Sequence, residues 1–318
     1  MKWWVSTDSQ VRFGREMESV LGASARYQTA NTEALRFYAQ FADVVVLARE
    51  LNLNQVREIH DAIVRENICG PSGEQIRIEM FCHGALCMAV SGKCYLSLHN
   101  LGGSANRGSC MQVCRRGYSV KDYESDTELL VDNKYIMSPK DLKTIDFIDE
   151  MIEAGVSVFK IEGRARSAEY VLTTAQCYKE AIEAVENGEF TEEKKAEWNR
   201  RLATVFNRGF WNGYYLGQRL GEWSPHYGSS ATEKKQYVGK VTKYYSKLGV
   251  GEFKVEAADI HLGDRLLIIG PTTGALYVTA DEIHTDGPAT EALKGQYAAV
   301  KVPEKVRPAD KVYLIVNN

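Results

Sequence analysis

The sequence predicts an α/β region followed by a small all-β barrel domain. Three observations carry this reading. Between about residue 23 and residue 190, short apolar runs alternate with amphipathic stretches, the pattern of parallel strands with helices outside them. Beyond residue 235, helical spacing gives way to short β-rich runs separated by Gly, Pro and Asp turns. Between the two lies SPHYGSSATEKK, polar and small, which reads as a linker. The expected division is therefore residues 1–224, a linker over 225–235, and a module over 236–318.

Taken in order, Ala23 to Gln28 predicts a strand, and Asn31 opens a helix in NTEALRFYAQ. DVVVLAREL (43–51) is an apolar strand ending in Arg49 and Glu50. In LNQVREIHDAIVREN, Val56, Ile59 and Ile63 fall at helical spacing. QIRIEMFC (75–82) alternates at period two, with Ile76, Ile78 and Met80 on one face. NKYIMSPKDLKTIDFIDEMIEAGV predicts a strand and then a helix, with Ser138 as N-cap, Pro139 in the first turn and Asp141 at capping-box spacing. Gly155 closes that helix in a left-handed conformation. VSVFKIEGR adds a strand and SAEYVLTTAQCYKEAIEAVENG a helix.

These amount to about five strand–helix units, too few to close an eight-stranded barrel. An open doubly wound sheet and a (β/α) barrel both satisfy the pattern, either partial or completed by another chain. In the last module, QYVGKVTKYY, GEFKVEA, DRLLIIG, ALYVTADEI, YAAVKV and KVYLIV are the expected strands, most simply arranged as a small barrel.

A net charge of -3 and a pI near 6.1 argue against a generally basic nucleic-acid coat, while leaving room for a local basic patch. No apolar run approaches the roughly eighteen residues of a membrane span. The start, MKWWVSTDSQVRFGREME, lacks a secretory h-region, so a cytoplasmic location is expected, with export by another route left open.

Five of the seven cysteines fall in residues 82–116. Concentration in one loop suits metal ligation in a reducing compartment better than a disulfide framework. Cys87, Cys94, Cys110 and Cys114 form C-x6-C-x15-C-x3-C after a strand. Thiolates are the preferred ligands of iron–sulfur clusters, and four satisfy one cubane. Lys93, Arg107, Arg115 and Arg116 lie close enough in sequence to offset the charge of such an anionic group. Structural zinc also takes four thiolates, though usually in closely spaced pairs, and only the second pair here comes near that. Cys82 and Cys177 read as buried thiols, and Cys69 as a turn residue with no named partner.

KIEGRARSAEY (160–170) puts Lys160, Glu162, Arg164 and Arg166 at the end of a predicted strand, where α/β folds carry their sites. Salt-bridged loop residues are the plain alternative. Arg49 stands at another strand end. His83 and His99 flank the cysteine loop as possible proton donors. FNRGFWNGYYLG (206–217) suits either ring stacking or aromatic packing. No HExxH, GxSxG or Walker loop is present.

With HGALCMAVSGKCYLS, NRGSCMQVCRRGY and KIEGRARSAEYV in view, the chain resembles the U32 peptidase family, the collagenase-like proteases. ARYQTANTEALRFY, VVLAREL and FNRGFWNGYYLG extend the likeness to nearly all of the chain from about residue 23. The resemblance implies a TIM-type (β/α) barrel, here partial and lacking its N-terminal units, followed by a β-barrel like the second domain of translation elongation factors. It also implies a [4Fe–4S] cluster on Cys87, Cys94, Cys110 and Cys114, with zinc as the alternative.

Relatives in the resembled family hydroxylate RNA bases without oxygen, using prephenate. The leading expectation is accordingly prephenate-dependent hydroxylation of tRNA or rRNA. His83, Glu162 and Arg164 are its catalytic candidates, and Arg49, Lys160, Arg164 and Arg166 its anchors for RNA or a small dicarboxylate. The alternative is a protease acting on collagen-type polypeptide or gelatin. A non-catalytic, metal-scaffolded binding protein is a second alternative. A homo-oligomer, or a partner that completes the barrel, is the expected assembly.

Overall fold

The computed structural model describes residues 4–6, 22–23, 29–90, 94–103, 110–119, 121–125, 137–163, 166–225 and 228–318. They fall into two compact units. One comprises Met1–Ala165, Thr174–Asn199 and Asn207–Ser230; the other comprises Arg166–Thr173, Arg200–Phe206 and Ala231–Asn318.

The chain to residue 230 contains β1 (Trp4–Ser6), β2 (Gly22–Ala23), α1 (Thr32–Ala39), β3 (Val44–Val46), α2 (Leu53–Glu66), β4 (Arg77–Ala85), α3 (Tyr95–Leu101), β5 (Asp141–Lys143), α4 (Ile148–Glu153), β6 (Val156–Glu162), α5 (Ala168–Glu186), α6 (Glu192–Thr204) and β7 (Phe210–Trp211). The sheet order is β1-β6-β4-β3-β2, and all four pairings are parallel. β4 outruns β3, and its last residues, His83 to Ala85, pair antiparallel with β5, which pairs in turn with β7. Among the described residues these strands do not close into a barrel.

Local signals set the first helices. The Asn31 side chain accepts from the Ala34 amide at 2.8 Å. Asn52 and Gln55 form a reciprocal capping box at 3.0 Å each way, satisfying two amide donors that the helix leaves open. Leu53, Val56, Ile59 and Ile63 then give α2 its buried face. Gly155 follows α4 at φ +92°, and an added Cβ would fall 2.2 Å from the His60 ring, so both conformation and space require glycine.

Two expectations need correction. β4 is buried on both faces from Ile78 to Gly84, so Glu79, Phe81 and His83 are enclosed along with Ile78 and Met80. A strand of a parallel sheet covered on both faces has no solvent side, and period-two alternation carries no orientation there. Ser138 and Asp141 do not start a helix either. Asp141 opens β5, and α4 begins only at Ile148, after a 3-10 turn over Ile145–Phe147. Both side chains are buried against arginines: Arg115 donates to the Ser138 hydroxyl at 3.1 Å, and Arg208 lies 3.5 Å from the Asp141 carboxylate. Long-range pairing overrides the local cap. Most of the strand expected in NKYIM and most of Ala23 to Gln28 lie outside the described residues. α6 is an element beyond those predicted.

The last module contains β8 (Glu233–Tyr245), β9 (Val250–Val255), β10 (Ile260–His261), β11 (Arg265–Gly270), β12 (Gly274–Thr279), β13 (Ile283–His284), β14 (Pro288–Ala289), β15 (Glu291–Ala292), β16 (Tyr297–Lys301) and β17 (Lys311–Asn317). Its eight-stranded antiparallel sheet runs β12-β11-β17-β8-β9-β16-β13-β14, beside a separate β10-β15 pair. Val238, Val241, Phe253, Leu266, Ile268 and Val312 form its core. The predicted small barrel is thus corrected to an open antiparallel sheet, with β12 and β14 as its ends. Pro288 in β14 has no N–H to donate, which suits an edge.

Candidate functional site

Charged side chains of the parallel sheet gather just beyond the end of β3, at Glu79 of β4 and at Lys160 in the second half of β6. Lys160 on β6 meets Glu79 on β4 at 2.6 Å, with 15% and 11% of the two side chains exposed. The Phe81 ring lies beside them: Arg49 places its guanidinium carbon 4.3 Å from the ring centroid, and the Lys160 ammonium lies 5.4 Å away. Arg49 also donates to the Ala85 carbonyl at 3.0 Å, while its Nε is buried with no hydrogen bond among the described residues. Glu162 ends β6 opposite Gly84 and is half-buried. One group thus holds two cations, a carboxylate and an aromatic face, with Glu162 two residues beyond Lys160 on the same strand.

β4 reaches this group through an irregularity. Phe81 registers with Lys160, yet His83 registers with Ile161, so Cys82 is an extra residue on β4. Both carbonyls at the bulge are taken. Tyr215 donates to the Phe81 oxygen at 2.8 Å, and Tyr178 donates to the Cys82 oxygen at 2.8 Å. Thr144 adds its amide and hydroxyl to the Cys82 oxygen at 3.2 and 3.0 Å. Burial pushes the Tyr215 phenol far up, with Arg49 pulling the other way, so it stays a donor.

His83 and Cys82 are enclosed by this arrangement. The His83 ring is 1% exposed, with Nδ1 3.2 Å from the Tyr178 hydroxyl and the Phe210 ring 5.5 Å away. Cys82 is wholly buried, its thiol directed to the Lys160 carbonyl at 3.4 Å, and burial drives its pKa well up. A Cys82–His83 nucleophile pair has no access to a polymer substrate. Cys177 is also wholly buried, as expected.

The four remaining loop cysteines are spread over three supports. Cys87 follows β4, Cys94 stands at the N-cap position of α3, Cys110 is exposed, and Cys114 sits in the 3-10 turn Val113–Arg115. Burial raises the Cys87 and Cys114 thiols, opposed by Arg49 at Cys87 and by Arg115 at Cys114. Cys87 feels the charge of Cys94 and Cys110, and Cys114 feels all three others, so the quartet shares one neighbourhood. Among the described residues, however, no three His, Cys, Asp or Glu side chains converge tightly enough to hold a single metal ion. Zinc needs four sulfurs at about 2.3 Å from one point. A cubane gives each sulfur its own corner iron and accepts a wider set, which the donor chemistry fits better.

The predicted site residues therefore divide. Arg49 and Lys160 meet around Phe81, with Glu162 ending the same strand as Lys160. Arg166 belongs to the other unit, its guanidinium carbon 4.2 Å from the Phe206 ring centroid and 5.2 Å from that of Tyr170. Arg164, Lys93 and Arg107 lie outside the described residues. Trp211 and Tyr215 of the aromatic stretch are 4% and 1% exposed, the packing alternative. Glu79, Phe81 and Tyr215 are missing from the sequence-based site, and Arg115, expected there only as a charge beside the cysteines, is buried. A charged Glu79 inside an apolar strand was the available signal.

Residues 12–225 match the peptidase family U32 description, and the chain belongs to that family. It is similar to two collagenases of Porphyromonas gingivalis. One is 61% identical over 302 residues, covering 95% of this chain and 73% of the relative. The other is 54% identical over 309 residues, covering 95% and 82%. To the tRNA hydroxylation protein P1 of Bacillus subtilis it is 37% identical over 201 residues, 58% of this chain and 44% of that protein. The expectation of RNA hydroxylation is overturned: the collagenases match at 61% and 54% identity over 95% of the chain, whereas the hydroxylation relative matches at 37% over 58%. Among the described residues no helix is long and apolar enough to cross a membrane.

Proposed function

We propose that this chain is a U32-type peptidase that cleaves collagen-type polypeptide. The observation that carries the reading is 61% identity across 95% of the chain to a collagenase. The strand-end group supports it chemically. Peptide hydrolysis needs positive charge where a carbonyl oxygen turns anionic, and a base that takes a proton from water and passes it to the leaving amine. In this reading Arg49 and Lys160 supply the charge, Glu79 fixes Lys160, and Glu162 is the base. Phe81 walls the group with an apolar face that strengthens those interactions by excluding water.

Cys87, Cys94, Cys110 and Cys114 would hold a [4Fe–4S] cluster beside this group, with zinc as the poorer fit. When bound, such a cluster supplies an anionic, redox-active centre. The chain's own part is to present four thiolates, with Arg49 and Arg115 offsetting their charge.

The test is gelatin and collagen cleavage by highly purified protein, followed by product mass spectrometry. Glu162→Gln should lower the rate by about 100-fold or more if it is the base. Arg49→Lys, which keeps charge and loses the fork, should also lower it. Cleavage that survives both changes, or that leaves with contaminants on further purification of the wild type, overturns the reading. Separately, protein prepared without oxygen should carry iron and sulfide in stoichiometric amounts; colourless protein that binds zinc alone removes the cluster.

A further inference from the structure

We infer that Arg115 is the positioning residue of the thiol quartet, clamping the turn that carries Cys114 onto the segment that carries Cys87. The inference rests on the reading of the four thiols as one cofactor site. Its basis is a single buried guanidinium that joins three separate stretches of chain. Arg115 is 9% exposed. Its Nη2 donates to the Leu86 carbonyl at 2.7 Å, one residue before Cys87. Its Nη1 donates to the Ser138 hydroxyl at 3.1 Å and to the Pro139 carbonyl, at the approach to β5.

The turn is fastened on its other sides as well. Val113 is 2% exposed, and the Tyr118 hydroxyl donates to its carbonyl at 2.7 Å. Gln112 enters the turn at φ +50°, a left-handed conformation uncommon for a residue with a side chain, and Arg208 reaches its side-chain oxygen at 3.4 Å. By contrast, Cys110 is exposed, and the Cys94 thiol approaches the Ser97 hydroxyl of its own helix at 3.7 Å. Among the described residues the Arg115 contacts tie the Cys87 and Cys114 segments together through the core.

Packing alone is a weak reason for the arginine. Enclosing a guanidinium costs solvation that an apolar side chain of similar volume would avoid. What arginine adds is a planar fork whose donors reach several acceptors at fixed angles, which lysine cannot reproduce. A second shell of this kind orients ligands before the group arrives, and its loss commonly weakens metal binding by about 10–100-fold.

The test has two arms. In the first, wild type, Arg115→Lys, Arg115→Met and the exposed control Lys121→Met are reconstituted without oxygen from ferrous iron and sulfide. Iron affinity should fall by about tenfold or more in both Arg115 variants and hold in the control. The second arm uses cluster-free protein with Cys94→Ser and Cys110→Ser, treated with a short bifunctional thiol reagent and mapped by mass spectrometry. The Cys87–Cys114 cross-link should form readily with Arg115 present and drop in both variants.

Circular dichroism identifies variants that do not fold, in which case Ser138→Ala, which removes one of the three acceptors, takes their place and should give an intermediate loss. Wild type that takes up no iron while its cross-link still depends on Arg115 leaves the inference standing and removes the cofactor reading. Undiminished cross-linking in a folded Arg115 variant overturns the inference, whatever the iron content.

Discussion

Lys160 and Glu79 meet at 2.6 Å inside the parallel sheet, with 15% and 11% of their side chains exposed. Lys301 and Glu282 meet at 3.4 Å in the antiparallel module, with 69% and 57% exposed. The residue types are the same and the meaning differs. An exposed pair gains little over hydration, whereas an enclosed pair stands where neither charge can be left alone. The contrast teaches that enclosure, rather than the presence of opposite charges, singles out the strand-end group. β4 and β6 carry charge through their covered stretch, while the core of the antiparallel module around Val238, Phe253 and Leu266 is built from apolar side chains.

The sharpest way to break this contrast is Lys160→Met. It should destabilise the protein by about 3–5 kcal/mol in urea unfolding, because Glu79 is left enclosed and unpaired. The double change Lys160→Met with Glu79→Met should cost less than the single one; equal or greater loss would show that the pair itself supplies the stability. Next in size is Gly155→Ala, expected to cost about 1–3 kcal/mol from its left-handed backbone. Part of this should return with His60→Ala, since the new methyl meets that ring.

Asn52→Ala removes half of a capping box and should cost about 1 kcal/mol, read in the same assay. At the small end, Lys301→Ala should stay within about 0.5 kcal/mol of wild type, with little change between low and high salt. A loss at Lys301 comparable to that at Lys160 would erase the distinction.

What the sequence made legible follows the range of the interaction involved. Asn31 and Gly155 act within one turn of chain, and each plays its expected part. Ser138 and Asp141 carry the same kind of local signal, yet Arg115 and Arg208 capture them from distant positions, and β5 forms where a helix was expected. The site divided in the same manner. Arg49 and Lys160 were visible because charges at strand ends stand out in an apolar pattern. Phe81 was hidden, since alternation along QIRIEMFC assigned it to the face away from Ile78 and Met80 without showing that this face is also covered. Tyr215 was hidden for a different reason: its hydroxyl meets a carbonyl from a strand 134 residues earlier. Function was the least local property. The cysteine spacing points to a ligand set and not to a reaction, so the extent of similarity to collagenases had to decide.

The extra residue at Cys82 gives β4 a fixed reading frame in space. Deleting it would join Phe81 to His83 and flatten the bulge, leaving His83 opposite Ile161 but taking away the carbonyl that Tyr178 and Thr144 hold. Two tyrosines already hold the carbonyls at that joint, so a shortened strand could not relax simply by sliding. A side chain along β4 can be exchanged without touching this joint, whereas a residue lost there removes one acceptor that three donors share, the Tyr178 hydroxyl and the Thr144 amide and hydroxyl.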